Sequence, residues 1–106
     1  MDAQAHYDEI ADDLAARNPD VRLGQMMGMP AIKAGGKIIG GFSRSEEAMV
    51  FKLTDPMERE LALALAGAHL FDPTGKGRPM KEWVAVPAAH VERWPELAEQ
   101  ALTRRD

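Results

Sequence analysis

Two consecutive glycines, Gly35-Gly36, separate the apolar segments 31–34 and 37–42. Tight two-residue turns need positive φ angles, which glycine adopts at little cost, so the pair predicts a β-hairpin. With a two-residue turn, Ile32 would face Ile39 and Lys33 would face Ile38. Because a hairpin joins antiparallel strands, we expect an antiparallel sheet at the centre of the fold.

Alternating apolar residues predict further strands at 21–27, 48–53 and 81–86. In the second of these, Met49, Phe51 and Leu53 would share one face, with Val50 and Lys52 on the other. In the third, Trp83 and Ala85 would share a side, with Val84 and Val86 on the opposite side.

Helical spacing of apolar residues predicts three helices. The first covers residues 2–17, the second starts at Thr54-Asp55-Pro56 and ends near Gly67, and the third starts at about Trp94. The second helix would bury a stripe made of Met57, Leu61, Ala64, Leu65 and Ala68. The fold class is therefore α+β: an antiparallel sheet of four to five strands, with an N-terminal, a middle and a C-terminal helix packed on it.

The composition fits one domain, residues 1–106, without disulfides or a zinc–thiolate site, because the chain has no cysteine. No apolar run approaches the roughly 20 residues of a membrane helix. The start of the chain has neither the basic nor the apolar region of a signal peptide, so we expect a cytoplasmic protein.

Few residues suggest catalysis or metal binding. His6, His69 and His90 lack the i, i+4 spacing of a helical metal site, and Ser43 and Ser45 lie in no nucleophile elbow. His69 near Asp72 has two interpretations: a general base oriented by a carboxylate, or a hydrogen-bonded loop histidine. We therefore expect no enzymatic activity, no cofactor and no metal.

The loop between residues 72 and 80 contains glycines and prolines that specify a shaped loop, and it carries basic residues. Gly75-Lys76-Gly77-Arg78 has a superficial likeness to a phosphate-binding loop, without its spacing or the helix that follows. The candidate interaction surface comprises Lys76, Arg78, Lys81, Lys33 and Lys37. The alternative is an ordinary solvated charged face, and the net charge of −4 argues against a general affinity for nucleic acid.

Two groups of apolar residues permit either a core or a binding role. Met26, Met27 and Met29 surround Gly28, and methionines serve both as core filling and as adaptable binding surfaces. Trp83 alternates with the inward positions of an apolar strand, which favours a core position. Trp94 precedes Pro95 at a helix start, where core packing and partner anchoring are both open.

Taken in order, several segments resemble the N-terminal domain of the TfoX/Sxy family of bacterial proteins. They are Met26-Met27-Gly28-Met29 with the glycine-turn hairpin after it, Met49-Val50-Phe51-Lys52-Leu53, the Phe71 loop, Met80-Lys81-Glu82-Trp83-Val84-Ala85-Val86-Pro87 and a closing helix. The resemblance covers about residues 5–103. It implies a small α+β domain with a YjbR-like shape. It also implies regulation of natural competence together with the transcription machinery, a role associated with two-domain members.

Three functional hypotheses follow. The first is a non-enzymatic regulatory domain that contacts a protein partner, as a monomer or homodimer. The second is a nucleic-acid-binding accessory domain that uses the basic loop 76–81. The third is an enzyme or small-ligand protein with a pocket near His69, Asp72 and Lys81.

Overall fold

The computed structural model describes residues 2–104, which form three α-helices, six β-strands and one 3₁₀ helix. The elements follow in the order α1 (Ala3–Arg17), β1 (Val21–Met26), β2 (Met29–Ala34), β3 (Lys37–Ser43), β4 (Ala48–Lys52), α2 (Pro56–Leu63), β5 (His69–Leu70), β6 (Trp83–Pro87), the 3₁₀ helix (Ala88–Arg93) and α3 (Trp94–Thr103).

All strands belong to one antiparallel sheet with the order β1-β2-β3-β4-β6-β5. The first four strands form a meander, and β6 joins β4 after the chain has passed through α2 and β5. The α+β prediction is confirmed. The sheet has one strand more than the expected maximum, because the two-residue strand β5 pairs along the outer edge of β6.

The β2–β3 hairpin confirms one predicted pair and corrects the other. Lys33 pairs with Ile38 as expected, but Ile32 pairs with Gly40 instead of Ile39, because a bulge places an extra residue in β3. Gly40 also lies close to the backbone of β4. A Cβ atom at position 40 would lie 2.8 Å from the carbonyl oxygen of Val50, so only glycine fits without a shift of the neighbouring strand.

Aspartates begin both of the first two helices. The Asp2 carboxylate accepts a hydrogen bond of 2.8 Å from the Ala5 amide. The Asp55 carboxylate accepts one of 3.2 Å from the Glu58 amide, with Pro56 in the first turn. Each bond satisfies an amide that has no partner within the helix.

The larger core lies between one face of the sheet, here called the first face, and the three α-helices. Its centre is aromatic: the Tyr7 and Phe42 rings are 5.6 Å apart, and Phe42 meets Trp94 edge-on at 6.3 Å. Trp94 is fully buried, so its position is core. The predicted alternation of β4 is also confirmed, because Met49, Phe51 and Leu53 all belong to this core.

A charged bridge joins two helices at the rim of this core. The Arg17 guanidinium lies 2.5 Å from the Glu99 carboxylate on α3 and 2.9 Å from the Asp13 carboxylate on α1. These two partners, Glu99 first, raise the pKa of Arg17 above its ordinary value.

A smaller core lies on the opposite, second face of the sheet. It contains Met26, Ala31, Ala48, Val50, Phe71, Trp83 and Ala85. Trp83 is 8% exposed, which confirms its core position, and Val84 and Val86 point to the first face as predicted. Phe71 belongs to the loop after β5, so this loop covers part of the second face.

The prediction of which residues of the middle helix are buried is wrong. Met57 and Leu61 are 66% and 64% exposed, and Ala64 is exposed too, whereas Ala62 is the buried residue of α2. Leu65 and Ala68 lie after the helix, which ends at Leu63, and they pack against the core. The helix contacts β6 through its other side, so the Met57–Leu61 stripe faces outward.

Candidate binding grooves

The turn between β1 and β2 places a methionine in a left-handed conformation. Met26 pairs with Met29, and the two turn residues have positive φ angles, 50° at Met27 and 77° at Gly28. Glycine adopts this conformation freely, whereas an unbranched apolar residue does so at a cost of about 1 kcal/mol. Met27 is nevertheless 59% exposed, while Met26 is buried and Met29 half-buried. The methionine cluster therefore has both core and surface members.

The loop after Phe71 is organised by the carboxylate of Asp72. Its oxygens accept hydrogen bonds of 3.1 Å from the Gly75 amide and 2.9 Å from the Gly77 amide, and one of 3.3 Å from the Thr74 hydroxyl. Gly75 and Gly77 have positive φ angles of 67° and 77°, which turn both amides toward the carboxylate.

These bonds agree with the view that the likeness to a phosphate-binding loop is superficial. The amides of Gly75 and Gly77 point at Asp72, and the Lys76 amide donates to the Thr74 hydroxyl at 3.4 Å. An anion at these amides would have to displace a carboxylate that already fills the same role. The loop is therefore a turn whose amides donate hydrogen bonds to side chains of the loop itself.

The turn and the loop line one groove of about 670 Å³, here called the methionine groove. Its third side is the connection from β3 to β4. The lining residues are Met27–Met29, Phe42–Glu46 and Phe71–Gly75. The groove thus combines thioether and aromatic surface with hydroxyls, such as that of the buried Ser43, and with the carboxylates of Glu46 and Asp72.

The partner of His69 is Glu46, not Asp72. His69 Nε2 lies 2.7 Å from the Glu46 carboxylate, and Nδ1 lies 3.0 Å from the carbonyl oxygen of Gly67. Both ring nitrogens therefore face oxygens, which fits a hydrogen-bonded loop histidine. Of the two interpretations, the structure favours the loop histidine, because Asp72 is engaged by the amides of its own loop.

The basic residues named from the sequence come from three parts of the fold. Lys76 and Arg78 are exposed in the loop. Lys33 and Lys37 lie on β2 and β3, and β4 separates these strands from β6. Lys81 lines a different groove, of about 530 Å³, here called the basic groove.

The basic groove contains two cations that the sequence did not single out. Lys52 at the end of β4 and Arg59 on α2 line it together with Met80, Lys81, Glu82 and Trp83. Lys52 pairs with Trp83 across the β4–β6 ladder, so this pairing brings residues 52 and 81–83 together. The sequence did predict on which side of β4 Lys52 lies. That prediction points to the groove only once β6 is known to pair with β4.

Two further observations concern residues 2–104. Within this range, no three His, Asp or Glu side chains are arranged to hold a metal ion. The described helices also include none with the length and apolar character needed to cross a membrane.

The fold and the grooves together define a small α+β domain whose three helices pack on one face of an antiparallel sheet. Comparison with protein-family models, with curated proteins and with solved structures finds no match.

Proposed function

We propose that this chain is a non-enzymatic interaction domain that binds a protein partner through the methionine groove. The resemblance to the N-terminal domain of the TfoX/Sxy family supports a regulatory setting, in the cytoplasm and in connection with transcription or competence. The proposal is carried by one observation, the exposed Met27 in a left-handed turn at the rim of the groove.

Methionine at position 27 does not favour the stability of its turn. Asparagine and glycine adopt positive φ far more readily, and exposing a thioether side chain gains nothing from the hydrophobic effect. Residues held in costly backbone conformations are found preferentially at functional sites. An apolar side chain kept at such a position is explained by a partner that covers it.

The lining of the groove indicates what kind of partner fits. Methionine side chains adapt to different apolar shapes, and Met27 and Met29 are the accessible methionines of the lining. Arg44, Glu46 and Asp72 add charged groups of both signs to the lining. We therefore expect a protein segment that inserts an apolar side chain into the groove and has polar groups on either side of it.

The test compares two methionine variants in partner capture. Met27→Gln places a polar side chain of similar length in the groove, and Met57→Gln makes the same change at an equally exposed methionine outside it. We expect proteins captured from native lysate by the wild type to be retained by Met57→Gln and lost with Met27→Gln. Each captured protein is then purified and its affinity measured directly.

The purified partner gives the decisive result. A reduction in affinity of roughly tenfold or more for Met27→Gln alone supports the groove, because buried anchor residues carry most of the energy of an interface. If the wild type, Met27→Gln and Met57→Gln bind the partner with equal affinity, the interface lies elsewhere and the proposal is contradicted.

A further inference from the structure

We propose that the basic groove is a binding site for a phosphate group. The site lies apart from the methionine groove, shares none of its lining residues, and does not depend on the proposed partner interaction. It rests on the convergence of Lys52, Arg59 and Lys81, which come from a strand, a helix and a turn.

The backbone holds each part of the site in place. Arg59 Nη1 donates a 2.9 Å hydrogen bond to the carbonyl oxygen of Leu53, which orients the guanidinium beside the end of β4. A 3.0 Å bond from the Trp83 amide to the Met80 carbonyl closes the turn that presents Lys81. A 2.8 Å bond from the Leu53 amide to the Glu82 carbonyl ties this turn to β4.

The charges in the groove are unbalanced. Three cations line it together with one carboxylate, that of Glu82. Within residues 2–104, neither Lys52, Arg59 nor Lys81 forms an ion pair, although the chain contains 17 acidic residues and only 13 lysines and arginines. Three cations that share one carboxylate in one groove repel each other, and a bound anion reduces that repulsion.

The chemistry of the three cations favours phosphate. A guanidinium presents a planar fork of donors that matches phosphate oxygens, and two ammonium groups add compact positive charge. The groove, of about 530 Å³, is open to solvent and therefore accessible to a phosphate group. Trp83 is only 8% exposed, so its ring is not available for stacking with a base, and the recognised feature is the phosphate itself.

Calorimetric titration with inorganic pyrophosphate at low salt tests the site. We expect the wild type to bind, and Lys81→Ala and Lys52→Ala each to bind roughly tenfold more weakly, as is usual for the loss of a charged hydrogen bond. Lys76→Ala is the matched control, because it removes the same charge from the same loop outside the groove. Thermal unfolding of each variant checks that it is folded.

A parallel titration with a short 5′-phosphorylated single-stranded oligonucleotide distinguishes the source of the phosphate. Groove-dependent binding of both probes indicates a nucleic-acid end or backbone phosphate, and binding of pyrophosphate alone indicates a small phosphorylated compound. The proposal is overturned if neither probe binds to the folded wild type. It is equally overturned if Lys76→Ala weakens binding as much as Lys81→Ala, because the attraction is then non-specific.

Discussion

At position 27, methionine is less favourable for the stability of the turn than asparagine or glycine would be. Replacing Met27 by asparagine keeps a residue that tolerates positive φ and removes the strain of the present side chain. We expect Met27→Asn to raise the free energy of unfolding by about 0.5–1 kcal/mol, measured by urea denaturation.

The same variant should lose affinity for the partner, so stability and binding move in opposite directions. Met57→Asn, an exposed change outside the turn, is the control and should not increase stability. If Met27→Asn is no more stable than the wild type, the methionine is not strained in its turn, and the argument for a functional role fails.

The conformation of Met27 was only partly accessible from the sequence. The apolar run to residue 27 predicted a strand, and the chain instead turns one residue earlier, after Met26. The available signal was Gly28, which lies between two apolar segments as Gly35-Gly36 does. Single glycines are weaker turn signals than glycine pairs, because only one of the two positive φ angles is then explained.

At the scale of elements, the close approach of β2 and β3 depends on glycine. A Cβ atom at Gly41 would lie 2.7 Å from the carbonyl oxygen of Pro30, which belongs to the backbone of the neighbouring strand. We expect Gly41→Ala to reduce the free energy of unfolding by about 1–3 kcal/mol, as overpacking usually does.

Gly24→Ala is the matched control on β1, because a Cβ atom there would meet only the end of the Lys33 side chain, at 3.6 Å. That variant should be neutral or slightly stabilising, since alanine restricts the unfolded chain. Equal urea midpoints for Gly41→Ala and Gly24→Ala would show that the strands separate without cost.

The starts of α1 and α2 were predictable because local chemistry determines them. Which side of α2 is buried was not predictable. Asp2, Asp55 and Pro56 act within one turn, so their effect is visible in the sequence. In α2, apolar residues occur on more than one side, and packing against β6 decides which side is buried. The sequence pattern therefore favoured Met57 and Leu61, whereas the structure buries Ala62.

On the scale of the whole molecule, the sheet separates two cores of different size. The smaller core depends on Trp83, which lies beneath the Phe71 loop. We expect Trp83→Ala to reduce the free energy of unfolding by about 3–5 kcal/mol, the usual cost of deleting a buried large aromatic side chain. A loss below about 1 kcal/mol in urea denaturation would mean that the second face contributes little to folding.

The buried Tyr7 makes global stability depend on alkaline pH. Burial, with a smaller contribution from the Asp8 carboxylate, raises the pKa of Tyr7 well above its ordinary value of 10.0. The unfolded chain therefore loses the phenol proton above pH 10, while the folded chain keeps it. Stability from this group is complete below pH 10 and falls by up to about 1.4 kcal/mol per pH unit above it.

Because Tyr7 is the only tyrosine, phenolate absorbance reports on this one group. We expect the absorbance to appear together with loss of helical circular dichroism during alkaline titration. Tyr7→Phe should have a shallower decline of stability above pH 10. Phenolate formation in a protein that remains fully folded would contradict the prediction.

The basic groove could not be predicted from local sequence, because its three cations come from positions 52, 59 and 81. Lys81 was named because it lies in an unusual loop. Lys52 and Arg59 required two long-range facts, the pairing of β4 with β6 and the packing of α2 beside them. Such contacts depend on the tertiary arrangement, which hydrophobic periodicity does not encode.

The sheet also divides the intrinsic fluorescence of the protein into two separate signals. Trp94 emits from the helix-covered face and Trp83 from beneath the Phe71 loop, and the chain has no other tryptophan. A ligand in the basic groove, which Trp83 lines, would change the emission of that indole and leave the emission of Trp94 unaltered. Replacing either tryptophan by phenylalanine leaves a chromophore that reports on one side of the molecule alone.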